Sequence, residues 1–172
     1  KPQRGWQAAA GLYLNSPSGI WEYSVEGYYK RMSDYLDYRG GAKLLMNHHI
    51  ETDVINTQGH AYGVELQVKK QVGKLNGWMS YTYSRTFLRQ NDKRIEKPVN
   101  NGDWYPTEYD KPHDFKFVGN YKFTHRYSMS INVDYSTGRP TTIPAGQYYD
   151  ESTQSMRVYY TERNSYRIPD YF

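Results

Sequence analysis

Residues 113–137, HDFKFVGNYKFTHRYSMSINVDYST, alternate apolar and polar side chains along two arms. Phe115, Phe117, Gly119, Tyr121 and Phe123 fall on one parity; Asp114, Lys116, Asn120 and Lys122 fall on the other, with Val118 the exception. After Thr124, His125 and Arg126 the pattern resumes, with Tyr127, Met129, Ile131, Val133 and Tyr135 against Ser128, Ser130, Asn132, Asp134 and Ser136. A period of two puts successive side chains on opposite sides of a pleated strand. The stretch therefore predicts an antiparallel hairpin with one apolar and one polar face. Each arm is roughly twice the ~5–6 residues of an ordinary strand, and close to the ~9–11 that a tilted strand needs to cross a bilayer.

Two earlier stretches repeat the design, so the alternation predicts antiparallel strands near 6–14, 20–31, 61–72, 78–88, 113–124 and 127–137. In the first hairpin Trp6, Ala8, Ala10, Leu12 and Leu14 share a face, as do Trp21, Tyr23, Val25, Gly27 and Tyr29. In the second, Tyr62, Val64, Leu66 and Val68 oppose Glu65, Gln67 and Lys69, while Met79, Tyr81, Tyr83 and Phe87 oppose Ser80, Thr82 and Ser84. The hairpin turns are short and, in the first two, rich in Asn, Ser, Pro and Gly, as tight reversals require. The segments between hairpins, 32–60, 89–112 and 138–166, are long, and a seventh strand is expected to begin near Arg167. Soluble sandwiches join most strands by short loops, whereas outer-membrane barrels alternate short periplasmic turns with long extracellular loops. The fold class expected is thus all-β, an antiparallel up-and-down transmembrane barrel.

Composition agrees. Leu, Ile, Val and Phe fill only 29 of the 172 positions, too few for a conventional soluble core, while 20 tyrosines supply bulk with a polar tip. No run approaches eighteen apolar residues, which excludes a transmembrane helix and leaves a barrel as the only way to span. Tyr13, Trp21, Trp78, Phe123 and Tyr127 lie where strands meet short turns, and one interfacial belt accounts for them. On the last hairpin Tyr121, Phe123, Met129, Ile131 and Val133 are expected toward lipid, with Lys116, Lys122, Asn132 and Asp134 toward the lumen. The net charge is +4, and the long connections carry none of the excess: 32–60 hold two basic against four acidic residues, 89–112 five against five, and 138–172 four against four. A basic lumen wall, rather than a nucleic-acid patch, is the expectation.

Chemistry-bearing motifs are few. His48 and His49 are adjacent, so extended chain would point them apart, and no Cys or acidic partner has ligand spacing. Neither metal nor any other cofactor is expected. The cluster Asn100, Asn101, Gly102 and Asp103 lacks the spacing of a calcium loop and predicts a turn. His113, after Pro112, is expected in a structural hydrogen bond where the loop rejoins the wall. Nothing matches a nucleophile elbow, a carboxylate pair or a phosphate loop, so an enzyme is not expected.

Three stretches resemble the barrel of TonB-dependent outer-membrane receptors: GHAYGVELQVKK (59–70) with GWMSYTYSRT (77–86), then YDKPHDF (109–115), then GRPTTIPAG (138–146) with YYTERNSYRIPDYF (159–172). Their order and spacing carry the likeness. It implies a 22-stranded barrel in the outer membrane, occluded by an N-terminal plug and importing a scarce nutrient with energy delivered through TonB. The nutrient would be a glycan, a siderophore or another chelate. Residues 1–172 would then be a late segment of the barrel domain, with the plug, the TonB-binding part and the closing strands lying outside them. In such a receptor Trp104, Tyr105, Tyr109, Tyr148, Tyr149, Tyr159 and Tyr160 are the expected ligand-facing set, since flat rings stack on sugars or planar chelates at little conformational cost. The competing role for them is propping loops against one another. The competing class for the chain is a soluble β-rich carbohydrate-binding or adhesion module, in which the apolar faces form an inner core.

Overall fold

The computed structural model describes residues 2–38, 54–90, 98–152 and 154–172. Four long strands come first, β1 (Arg4–Asn15), β2 (Trp21–Tyr38), β3 (Val54–Lys70) and β4 (Leu75–Gln90). The two-residue β5 (Tyr105–Pro106) precedes β6 (His113–Lys122) and β7 (Ser128–Ser136). The last part holds β8 (Pro140–Thr141), β9 (Pro144–Asp150), β10 (Ser155–Tyr160) and β11 (Tyr166–Arg167). The main sheet runs β1-β2-β3-β4-β6-β7, with β5 pairing β4 beyond the end of β6, and every pairing is antiparallel. Each of the six strands predicted from alternation is present.

Register stacks the apolar positions into cross-strand rows. One reads Leu14, Tyr23, Val68, Met79, Phe117, Val133; the next reads Leu12, Val25, Leu66, Tyr81, Phe115, Tyr135. The intervening row, Tyr13, Ser24, Gln67, Ser80, Lys116, Asp134, belongs to the opposite face. Such rows are the unit of sheet stabilisation, because each pair sits within ~5.5 Å of its neighbour. Where β4 meets β6, Gly77 pairs with Gly119, and a Cβ on Gly77 would lie 2.0 Å from the Val118 carbonyl oxygen. Glycine is required there by the closeness of the backbones.

Among the described residues nothing covers the apolar face: Leu12, Leu14 and Ile131 are exposed, and the buried hydrophobic residues, Ile55, Ala61, Leu88 and Tyr105, lie toward the long-loop end. A water-soluble sheet could not leave such a patch open. The described residues form an open sheet. The seventh strand is seen at its onset, where β11 pairs with β8 and Tyr171 exchanges two backbone hydrogen bonds with Ser136, at 3.0 and 2.9 Å.

Several expectations need correction. The long connections are shorter than 32–60 and 89–112, because β2 continues to Tyr38, β3 begins at Val54 and β4 runs to Gln90. A bulge hides this extension. Pairing steps from Met32↔Gly59 to Tyr35↔Thr57, and Asp34 takes φ 54°. One inserted residue shifts the parity, so the alternation breaks although the ladder continues to Tyr38↔Val54. The segment 138–166, expected as a loop, contains the β9–β10 hairpin. Of the aromatics assigned to one belt, Trp21 and Phe123 share the parity of the apolar face, and Tyr127 shares that of Met129. Tyr13 and Trp78 stand on the polar face, the former donating to Glu26 Oε2 at 2.9 Å.

The charge expectation also changes. On the polar face Lys30, Lys69, Lys116 and Lys122 meet six carboxylates, Glu22, Glu26, Asp37, Glu65, Asp114 and Asp134, so that wall is not basic. Arg4, Arg31, Lys70, Arg85 and Arg89 share the parity of the apolar face.

Candidate functional site

At the long-loop end, two carboxylates tie distant pieces of chain together. The first is Asp37. The bulge at Asp34 places Asp37 on the polar side, opposite Ile55, where continued alternation would have turned it to the apolar side. Its Oδ2 accepts the Tyr105 hydroxyl at 2.9 Å and its Oδ1 accepts Arg163 Nη2 at 3.1 Å. Arg163 Nη1 also donates to the Tyr38 carbonyl, and its guanidinium lies 5.6 Å from the Tyr105 ring. The main chain of Arg163 is held by Asn100, whose Oδ1 accepts Arg163 N at 2.7 Å and whose Nδ2 donates to Arg163 O at 3.1 Å. Asn100 and Asn101 can present themselves this way because both sit in left-handed backbone within the 3-10 turn Val99–Gly102, the turn expected from their composition.

The second is Asp110, 1% exposed. Above β6 the edge of β4 has no full strand partner, and residues 107–112 substitute for one. Thr107 N donates to Thr86 O, Ser84 N to Pro112 O, and Thr86 N to Asp110 Oδ1 at 2.8 Å. The same Oδ1 takes Arg85 Nε at 3.2 Å, while Oδ2 takes Arg167 Nη2. Arg167 Nη1 donates to the carbonyls of Asp110 and Gly138, at 2.8 and 2.9 Å. Two arginines and a backbone amide thus compensate one buried carboxylate, the condition under which a buried charge is tolerated. Between these knots Asn164 joins the loops, its Nδ2 donating to Pro106 O at 2.7 Å and its N–H to Thr142 Oγ1 at 2.9 Å.

Sequence reasoning did not identify these two knots. Asp110 and Arg167 fall inside the YDKPHDF and YYTERNSYRIPDYF stretches, but nothing local pairs residues so far apart. His113 takes the structural role expected of it: its ring shares a 2.8 Å hydrogen bond with the Tyr81 hydroxyl, and its main chain pairs with Thr137.

The seven expected ligand-facing aromatics separate into three groups. Tyr105 is 1% exposed and belongs to the Asp37 knot. Burial, then the Asp37 carboxylate beside it, pushes its hydroxyl well above the usual phenol range, so it remains a donor. Trp104 stands beside apolar-face positions, edge-on to His60 at 4.4 Å and under the Arg89 guanidinium at 4.9 Å. Like Trp104, the remaining five are exposed. Tyr109 is open to solvent next to buried Asp110, and Tyr148, Tyr149, Tyr159 and Tyr160 stand on the β9–β10 hairpin. There Tyr148 pairs with Arg157 and Tyr159 with Gly146, which puts both rings and the Arg157–Asp150 ion pair (2.7 Å) on one side of the ribbon. Tyr149 pairs with Met156 on the other side. Tyr159 lies across Gly146, where a Cβ would meet its ring at 2.7 Å.

Among the described residues no three His, Cys, Asp or Glu side chains form a group able to hold a metal ion, and His48 and His49 lie outside those residues. No helix among them is long and apolar enough to cross a membrane, which has no bearing on crossing by strands. No curated protein and no solved structure matches the chain. The family model described as TonB dependent receptor-like, beta-barrel, matches residues 1–172.

Proposed function

The chain therefore belongs to the TonB-dependent receptor-like β-barrel family, a family of outer-membrane transport barrels, and we propose that it is a late segment of such a receptor's wall. In this reading the barrel has 22 strands, is completed by a plug and closing strands outside residues 1–172, and imports a glycan, siderophore or other chelate using TonB-delivered energy. The observation that carries it is the two-sidedness of the sheet. One face carries apolar rows across six strands, the other is polar, and the strand ends that lead into the long connections lie together at one end. A sheet with those faces suits lipid on one side and a wet lumen on the other.

Ligand contact is assigned to the exposed loop tyrosines, foremost Tyr148 and Tyr159, whose shared side of the hairpin also offers Arg157. Two stacking rings and a guanidinium fit a sugar or an aromatic chelate bearing negative charge. Uptake of labelled oligosaccharides and ferric chelates by cells carrying the complete receptor tests the reading. Import should stop in cells lacking TonB, and Tyr148→Ala with Tyr159→Ala should raise the half-saturating concentration about tenfold, from ~0.5–1.5 kcal/mol per stacked ring. Import that continues without TonB, or that ignores the double substitution, would overturn the transport role or the tyrosine site respectively.

A further inference from the structure

The three short turns are free of acid. Residues 11–21, 70–81 and 115–133, which contain them, hold no Asp or Glu, yet hold Lys70, Lys74, Lys116, Lys122, His125 and Arg126. Glu22, just past the first turn, is taken by Lys69 at 3.4 Å and by the Gln71 amide. Lys70 Nζ is engaged by the Leu75 carbonyl at 2.9 Å and lies over the Trp21 ring, and Lys116 lies 3.9 Å from Asp114. Lys74, Lys122 and Arg126 make no ion pair among the described residues.

The fold gathers these three. Lys122 N donates to Lys74 O at 2.8 Å, which carries the β4–β6 ladder one step past Leu75↔Tyr121 and sets the two lysines opposite each other. Lys122 alternates with Tyr121 and Phe123 of the apolar face, so both lysines stand on the polar side, away from lipid. Like charges directly opposite each other destabilise a sheet unless an anion meets them. Thr124 Oγ1 accepts both Arg126 N and Tyr127 N, each at 3.2 Å, in the turn that carries Arg126. A hollow of ~610 Å³ lies between the second and third turns, and Lys74, Lys122, His125 and Arg126, all exposed, line it. Phe123 and Tyr127 line it as well, but both share the parity of the lipid side.

The make-up of this hollow narrows its partner. Lysine is depleted from the buried centres of protein–protein interfaces, and an acid-free cluster of exposed cations on flexible stems lacks the shaped pocket of a small-ligand site. Single exposed ion pairs are weak, so such a cluster holds only a partner that brings many anions at once. Resting on the wall assignment above, in which the short turns face the periplasm, we propose that Lys74, Lys122 and Arg126 dock this end of the barrel on the cell-wall peptidoglycan. That polymer offers free carboxylates repeated along its peptide stems. Carboxylates reaching up to the turns would meet the opposed lysines on the polar side and Arg126 at the turn.

The test sediments the complete receptor, held in phosphatidylcholine nanodiscs, with purified peptidoglycan sacculi. Wild-type receptor should pellet with them, and about 1 M salt, where screening shortens to ~3 Å, should release it. Lys74→Gln/Lys122→Gln/Arg126→Gln should weaken retention about tenfold, and sacculi whose carboxyls are converted to amides should retain no receptor. Lys30→Gln/Lys116→Gln, higher on the polar face, should pellet like wild type. Heat-modifiable gel migration reports whether each barrel is folded. A folded triple variant that pellets like wild type, or equal retention by amidated sacculi, would overturn the docking site. Wild type that binds soluble polyglutamate but not sacculi would overturn it too, in favour of an acidic protein partner. Labelling of Ser18→Cys by an impermeant maleimide from outside intact cells would instead overturn the wall orientation beneath the proposal.

Discussion

The two ends of this sheet are held by different means. At the short-turn end every fixing bond is local or between adjacent strands. Ser16 N donates to Trp21 O at 2.8 Å, Phe123 N to Tyr127 O at 3.0 Å, and Lys122 N to Lys74 O at 2.8 Å. At the long-loop end, Asp37 is joined to Arg163, 126 residues away, and Asp110 to Arg167, 57 residues away. A short turn closes at small entropic cost and needs only suitable residues, whereas long loops become ordered only if compensating bonds reach across them. The wall is thus locally specified at one end and cross-linked by charge at the other, and the cross-linked end presents the tyrosines.

The largest effect that could break this comparison is at Asp110. Asp110→Ala leaves Arg85, Arg167 and the Thr86 amide without their carboxylate and should cost about 3–5 kcal/mol, nearer the lower figure because both arginines keep some contact with water. Ser16→Ala in the first turn should cost under about 0.5 kcal/mol. Reversible unfolding of the complete barrel in bilayers measures both, and similar values would mean that the ends do not differ as described.

Within β7, between its turn and the loop end, neither turns nor knots contribute, and face alone should govern. Ile131 shares its row with Gly119 and Gly77 on the apolar face, and Asn132 shares its row with Val118 and Trp78 on the other. Ile131→Arg should then cost about 2–4 kcal/mol in a bilayer, while Asn132→Arg should be close to neutral. Equal costs would remove the distinction between the faces.

The smallest effect sharpens the description of the loop end. The Tyr135 hydroxyl, at 2.6 Å, then the Gly138 amide, at 2.8 Å, hold the Asp170 carboxyl below the ordinary Asp range. A carboxylate depressed on folding contributes stability that is present above its unfolded pKa and is lost as pH falls through the lower folded value. The Gly138 amide resonance should therefore titrate with a midpoint below the ordinary ~3.9, and Tyr135→Phe should move that midpoint upward. A midpoint unmoved by Tyr135→Phe would show that the hydroxyl does not anchor this corner.

Alternation by itself determined the six strands, their pairing with neighbours and which residues share a face, because period two is a local property of extended chain. The face of Trp78 was legible in the same way, since it alternates with Met79; grouping it with Trp21 by height alone is what misplaced it. The expected site residues were partly legible, in that six of the seven loop aromatics are exposed, four of them on one hairpin. Only the tertiary structure decided that Tyr105 is buried, that Trp104 stands against His60, and that Asp37 and Asp110 bind the loops. The reason is physical. A single bulge at Asp34 resets the parity of Tyr35 to Tyr38, and a buried carboxylate finds its arginine through space, across chain separations that no local pattern encodes.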